Sequence, residues 1–170
     1  MEPTRKELGE QLHALVQEAA GLGTADHVSG TARRYWQRLR KLKAVKQWLT
    51  MPWSQAEVPL VNRCRHGAGC HWDRCQPRSR LRCDLLTGSG SRRHVGEMKF
   101  TFGKLAPWTH GGGQTAAQMQ LAHYCQSVCA DTEADTTGSV LVVALNLDDD
   151  KNITHSRARI IDLPLTFKWR

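Results

Sequence analysis

The chain has 170 residues and a formal charge of +8, with 24 lysine and arginine residues against 16 aspartate and glutamate residues. This length suffices for one domain with a buried core, and no apolar run is long enough to cross a membrane. The positive excess favours a polyanionic partner, most simply a nucleic acid. The charged N-terminus does not have the pattern of a secretory signal. We therefore predict an intracellular protein without membrane association, and a nuclear one if the host is eukaryotic.

The first 50 residues are predicted to be helical. Leucines at helical spacing predict a helix over 4–22, with Thr4 and Glu7 as its capping box. A second helix is predicted over 31–49, and few acids balance its basic faces. These faces either contact a phosphate backbone or are simply solvated. The candidate nucleic-acid-binding residues are Arg33, Arg34, Arg38 and Lys41, with Lys104 further along the chain.

A segment rich in cysteine, histidine, glycine and arginine follows a short strand predicted over 57–63. Its ligand types suit structural zinc, although their spacing is not the usual C-x-x-C pattern. The candidate zinc ligands are Cys64, Cys70, Cys75 and His71, with Cys83 and His66 as alternatives to His71. The alternative is a basic loop without a metal.

The C-terminal half of the chain alternates between strand and helix patterns. Residues 114–130 have helical spacing, 131–138 form a polar turn, and 139–147 are almost all apolar, as in a strand buried on both faces. A last strand is predicted over 154–162. Together with a hairpin described next, this order predicts an α/β fold with a mixed central β-sheet flanked by helices.

A β-hairpin is predicted from strands over 80–87 and 93–101. Strand alternation places Glu97 and Lys99 on one face, and the length of the turn places Asp84 opposite Glu97. Opposed residues have Cβ atoms about 5 Å apart, so two carboxylates there repel unless a cation lies between them. Mg²⁺ prefers a few carboxylates together with water and phosphate. The hairpin therefore predicts a metal-dependent phosphodiester site. His94 and His110 are predicted to be solvated loop side chains.

These motifs resemble the PD-(D/E)XK nuclease superfamily, also called restriction-endonuclease-like. Asp84 precedes Glu97-Met98-Lys99 by a gap of twelve residues, and Gln120-Leu121-Ala122-His123-Tyr124 matches the Q-x-x-x-Y motif of the RecB-like and phage-exonuclease branch. Cys83 stands where the family pattern has proline. The resemblance implies a restriction-endonuclease-like core over 56–147, within a single domain of residues 1–170. An N-terminal helical segment, residues 1–50, precedes this core.

The resemblance also implies roles for the motif residues. Mg²⁺ or Mn²⁺ would be held by Asp84, Glu97, the backbone carbonyl of Met98 and an acid of the first helix. The sequence does not choose among Glu18, Glu10 and Glu7 for this last ligand; Glu18 is taken as the working candidate. Lys99 would orient the nucleophilic water or neutralise developing charge. Gln120 and Tyr124, one helical turn apart, would contact the DNA backbone or order the site.

The leading prediction is a metal-dependent deoxyribonuclease. The alternative is a nucleic-acid-binding module on the same fold, without catalysis and stabilised by zinc. DNA is favoured over RNA as the substrate, although nothing in the residues excludes RNA. The sequence does not distinguish an endonuclease from an exonuclease.

Overall fold

Four helices and five strands form the computed structural model of the chain, which describes residues 2–60, 82–103 and 112–170, with the backbone alone for 112–115. In chain order the elements are α1 (Arg5–Ala19), α2 (Gly30–Leu39), α3 (Lys43–Thr50), β1 (Gln55–Pro59), β2 (Arg82–Thr87), β3 (Arg92–Thr101), α4 (Gly112–Thr132), β4 (Asp135–Leu147) and β5 (Ile153–Asp162). No helix among the described residues is both long enough and apolar enough to span a membrane.

The five strands form one mixed sheet in the order β1-β2-β3-β4-β5. Only β3 and β4 run parallel, joined through α4, and the other neighbours are antiparallel. The side chains of α1, α2 and α3 form one apolar cluster on one face of the sheet, and those of α4 form a second cluster on the other face. The predicted α/β fold with a mixed sheet flanked by helices is confirmed.

The first helix begins as its sequence predicts. The hydroxyl of Thr4 accepts a hydrogen bond from the Glu7 amide, and the Glu7 carboxylate accepts one from the Thr4 amide, which completes the capping box. The buried residues Leu8, Leu12 and Leu15 place one apolar stripe against the core. The other face of α1 is therefore free to carry polar side chains.

The single helix predicted over 31–49 is wrong, because two helices occupy this segment. Arg40 ends α2, and Leu42 adopts extended backbone angles before α3 begins. The reason is packing: α2 lies against α1, whereas α3 lies against β4 and β5. The break lets Trp48 turn onto the sheet, where its ring lies 4.8 Å from that of Trp53. One straight helix could not bury the apolar side chains of α2 against α1 and those of α3 against the sheet.

Several strand boundaries also differ from prediction, most of all those of β1 and β4. The first strand covers Gln55–Pro59, two residues earlier than expected at its start. The polar turn predicted over 131–138 is wrong at its end, because β4 already begins at Asp135 and pairs with Arg92 of β3. Polar residues such as Thr136 there satisfy their backbone groups by parallel pairing and by a bridge to Phe167, so the apolar pattern did not mark them.

Gly138 allows α4 to pack directly on β4. A Cβ atom at this position would lie 2.6 Å from the sulfur of Cys125 and 2.8 Å from a methyl carbon of Leu121. The absence of a side chain therefore sets the distance between α4 and the sheet. This contact positions the residues of α4 that face the end of β3.

Candidate active site

The sheet opens between β2 and β3 at the position of Asp84 and Glu97. Backbone pairing runs from Thr87 and His94 to Leu85 and Gly96, and it stops one step short of the two acids. On the other side of β2, the pairing with β1 skips Asp84 as well. Its neighbour there, Glu57, has a left-handed φ of 51°, which is uncommon for a residue with a side chain. The backbone of β1 is therefore distorted at Glu57, directly beside Asp84 of β2.

The two acids are linked through each other's backbone. The amide of Asp84 donates to Oε1 of Glu97 at 3.2 Å, and the amide of Met98 donates to Oδ2 of Asp84 at 2.7 Å. Each carboxylate thus accepts a hydrogen bond from a backbone amide where β2 and β3 no longer pair with each other. The sequence predicted this neighbourhood from the length of the turn, and the structure brings both side chains to one cleft.

Glu97 is the more buried of the two acids. Its side chain is 4% exposed, against 15% for Asp84. Burial, followed by repulsion from Asp84, raises the pKa of Glu97 to about 8, although Lys99 acts in the opposite direction. The same surroundings raise the pKa of the neighbouring Cys83 thiol to about 12, first by burial and then by the two acids. Ionisation of Glu97 in this site is therefore unfavourable without a nearby cation.

Lys99 joins the strand to α4 through a chain of polar contacts. Its Nζ lies 3.7 Å from Oε2 of Glu97 and donates to Oε1 of Gln120 at 2.8 Å. The Gln120 amide in turn donates to the hydroxyl oxygen of Tyr124 at 2.7 Å, one helical turn further on. The Tyr124 ring packs in the core of the α4 face, and burial raises its pKa. Four of the predicted site residues are therefore connected in one line.

His13 of α1 is a residue of the site that sequence reasoning missed. Its Nδ1 lies 3.5 Å from Oδ1 of Asp84, and its ring centroid lies 5.3 Å from that of Phe100. Lys6, Glu10 and His13 form a polar stripe at helical spacing beside the apolar stripe of α1. That stripe was the available signal, because a face adjoining the buried one can reach the edge of a cleft.

The predicted first-helix ligand Glu18 does not reach the cleft. Its Oε1 accepts a hydrogen bond from the Ala25 amide at 3.1 Å, because it lies more than one turn beyond His13 on α1. Of the other two candidates, Glu7 is held in the capping box and Glu10 lines the cleft.

The cleft has a volume of about 460 Å³, and apart from Lys99 its cations differ from the predicted ones. Its basic lining comes from Arg5, Lys6, Arg82 and Lys99.

The basic residues predicted on the second helix lie elsewhere. Arg33 donates to the backbone carbonyl of Ala25 at 2.7 Å, and Arg38 donates to that of Ile153. Arg34 and Lys41 are exposed and do not line the cleft. Sequence alone could not distinguish basic side chains that bind backbone carbonyls of the same chain from those that line the cleft.

Several predictions fall outside the described residues. These are Lys104, His110 and the zinc candidates Cys64, Cys70, Cys75 and His71. The cysteines at 83, 125 and 129 are buried free thiols. Among the residues that the structure describes, no group of three or more histidine, cysteine, aspartate or glutamate side chains is arranged to hold a metal ion.

Comparison with known proteins gives no family for this chain. No protein-family model matches it, and neither a curated protein nor a solved structure shows a significant similarity.

Proposed function

We propose that this protein is a metal-dependent nuclease with a restriction-endonuclease-like core, hydrolysing phosphodiester bonds of nucleic acid, with DNA favoured over RNA. One observation carries the proposal. Asp84, Glu97 and Lys99 converge in a single cleft at the point where β2 and β3 separate. Two carboxylates and an amine in one cleft are the groups that a metal-assisted phosphodiester hydrolysis needs.

The donor set of the cleft fits Mg²⁺ or Mn²⁺. The carboxylates of Asp84 and Glu97 offer oxygen ligands, and hard cations prefer a few such ligands completed by water and phosphate. The amide of Met98 points toward Asp84, and the carbonyl of a strand residue points the same way as its amide. Burial, followed by repulsion from Asp84, raises the pKa of Glu97, and a cation between the two acids would favour the charged form against both effects, which supports the same assignment. Such an ion supplies an activated water and charge stabilisation on the phosphate.

The side chains around the acids orient the reacting groups. Contacts with Glu97 and Gln120 fix the position of the Lys99 ammonium group in the cleft. From this position it would orient the attacking water or neutralise charge on the phosphate. Gln120 and Tyr124 hold Lys99 from the helix side. His13 occupies the place on the first helix that was predicted for Glu18, because it is the α1 side chain that contacts Asp84.

A second candidate is a nucleic-acid-binding module without catalysis. It is favoured by the internal pairing of the acids: Asp84 has the Met98 amide and His13 as partners, and Glu97 has the Asp84 amide and Lys99. In this candidate the polar groups stabilise the separated strands, and phosphate groups bind to the cations at the rim.

Cleavage of labelled DNA by purified protein decides between the two candidates. The nuclease requires added Mg²⁺ or Mn²⁺, and Glu97→Gln abolishes cleavage while leaving DNA binding nearly intact. Glu133→Gln is the matched control, because it removes an exposed acid that does not line the cleft. If neither metal supports cleavage of single- or double-stranded DNA although DNA binds, the binding module is correct.

A further inference from the structure

We infer that the cleft accepts a single strand of nucleic acid, with an unstacked base placed against Phe102 and Phe100. This inference rests on the proposed function and names its substrate class. Three features of the cleft carry it: its positive rim, its aromatic wall and the absence of a side chain at Gly9 of α1.

The rim carries cations that are free to meet phosphates. Arg5 and Arg82 line the cleft and form no ion pair with another residue in the described ranges. Lys6 lies 3.9 Å from Glu10, and both side chains are largely exposed, so this pair is weak. A row of such cations follows a phosphodiester backbone without selecting a sequence.

The wall of the cleft next to the acids is aromatic. Phe100 and Phe102 are partly buried against the α1–α3 core and also line the cleft. The ring of His13 is tilted by 59° against Phe100, which holds that ring in place. Aromatic faces beside a positive groove are the usual means of binding single strands, because any base can stack on them.

Gly9 leaves one position on the cleft-facing side of α1 without a side chain. It lies in the interior of α1 and lines the cleft, and a Cβ atom there would meet nothing within 4 Å. Glycine disfavours a helix interior, so no local preference explains this residue. Lys6 and His13 lie three residues before and four after it, on the same side of α1, and the gap between them gives a base access to the aromatic wall.

A duplex does not use these features. Its bases are stacked on their neighbours, so their faces cannot reach Phe100 or Phe102 unless the helix is first opened. The cations would still attract a duplex by its phosphates. The cleft therefore predicts binding of both forms, with the single strand preferred.

The test compares binding of both forms to the full-length Glu97→Gln variant in the presence of Mg²⁺. Fluorescein-labelled DNA of about 12 nucleotides, single-stranded or annealed, is titrated at one salt concentration and followed by anisotropy. We expect the single strand to bind roughly tenfold more tightly. Adding Phe102→Ala should remove most of this preference while changing duplex affinity less than about twofold, and Phe102→Trp should retain it.

Two further variants separate the aromatic wall from general effects. Trp169→Ala removes an exposed aromatic ring that does not line the cleft and should leave both affinities unchanged. Gly9→Leu should weaken single-strand binding with the helical content of the protein unchanged.

Two results overturn the inference. The first is equal or tighter binding of the duplex, and the second is a Phe102→Ala variant that keeps the preference; the nuclease proposal survives either result if wild-type protein cuts DNA with metal. Binding of neither form also overturns the inference, and the nuclease proposal then falls only if wild-type protein also fails to cut DNA with metal.

Discussion

Two polar clusters involve β3, one at the middle of the strand and one near its N-terminal end, and their side chains interact in opposite ways. At the middle, Asp84 of β2 and Glu97 of β3 bring two acids together in the cleft. At the N-terminal end, His94 contacts Ser139 of β4, which in turn contacts Asp162 of β5, beside a second cleft of about 620 Å³. The first cluster contains groups that repel each other, and the second contains groups that satisfy each other.

The second cluster forms a continuous chain of donors and acceptors. Ser139 donates its hydroxyl proton to Asp162 at 2.6 Å, so its oxygen accepts from Nε2 of His94 at 3.0 Å. Nδ1 of His94 then accepts from the Thr137 hydroxyl at 2.7 Å. Burial lowers the pKa of His94, which agrees with a neutral ring. The prediction that His94 is a solvated loop residue is therefore wrong.

The difference separates a structural role from a functional one. Ser139 is buried, whereas His94 and Thr137 are partly buried and Asp162 is exposed, and a polar network in which every proton has an acceptor stabilises the fold without a ligand. A buried acid with a raised pKa beside a second acid is a candidate functional site, because a cation or a transferred proton would relieve the repulsion. We therefore assign the Asp84–Glu97 cluster to chemistry and the His94–Ser139–Asp162 cluster to stability.

The largest effect expected from this assignment is on the rate of cleavage by Lys99→Met. This variant removes the ammonium group but keeps most of the side-chain volume. We expect cleavage to fall by roughly 10²–10³-fold because charge stabilisation is lost at the phosphate. Lys99→Arg should also be impaired, since a planar guanidinium does not reproduce the contacts to Glu97 and Gln120. A variant that cuts at the wild-type rate would remove Lys99 from the mechanism.

The next effect concerns the free energy of unfolding without metal. Glu97 has a folded pKa of about 8, above its ordinary value. Its contribution to stability is therefore complete at pH below the ordinary carboxyl pKa and is lost as the pH rises through about 8. Urea unfolding in EDTA should show wild-type stability falling by roughly 2–4 kcal/mol relative to Glu97→Gln between pH 5 and pH 9.

Added Mg²⁺ should restore some of this loss, because an ion that binds only the folded state stabilises it. If the difference in unfolding free energy between wild type and Glu97→Gln stayed constant across this pH range, Glu97 would not be a buried acid with a raised pKa.

A smaller effect should follow from Ser139→Ala in the second cluster. This variant removes the shared partner of Asp162 and His94, and we expect a loss of roughly 0.5–1.5 kcal/mol of unfolding free energy, because Asp162 is exposed to water, with the cleavage rate unchanged. Ser127→Ala is the matched control, because this buried serine donates only to the His123 carbonyl within α4. Equal effects of the two variants, or a loss of cleavage in Ser139→Ala, would break the comparison.

The residues predicted from sequence are those determined by local spacing. The turn length set Asp84 against Glu97, strand alternation placed Glu97 with Lys99, and helical spacing paired Gln120 with Tyr124. Each of these inferences needed only neighbouring elements. The mixed sheet followed for the same reason, since the order of apolar segments determines which strands need a crossover helix.

The features that sequence reasoning missed depend on packing between distant segments. His13 reaches Asp84 across 71 positions of the chain, and no local pattern specifies that approach. The break at Leu42 arises because α2 and α3 pack on different partners. Arg33 and Arg38 donate to backbone carbonyls, whereas their sequence context shows only unbalanced charge.

The most direct test of the account is a crystal structure of the wild-type protein grown with Mn²⁺, with anomalous diffraction data. We predict an anomalous peak between the carboxylates of Asp84 and Glu97, within coordination distance of both, that is absent in Glu97→Gln. Wild-type crystals with no peak at this position, at Mn²⁺ concentrations that saturate any DNA cleavage, would contradict the claim that the two acids form a metal site.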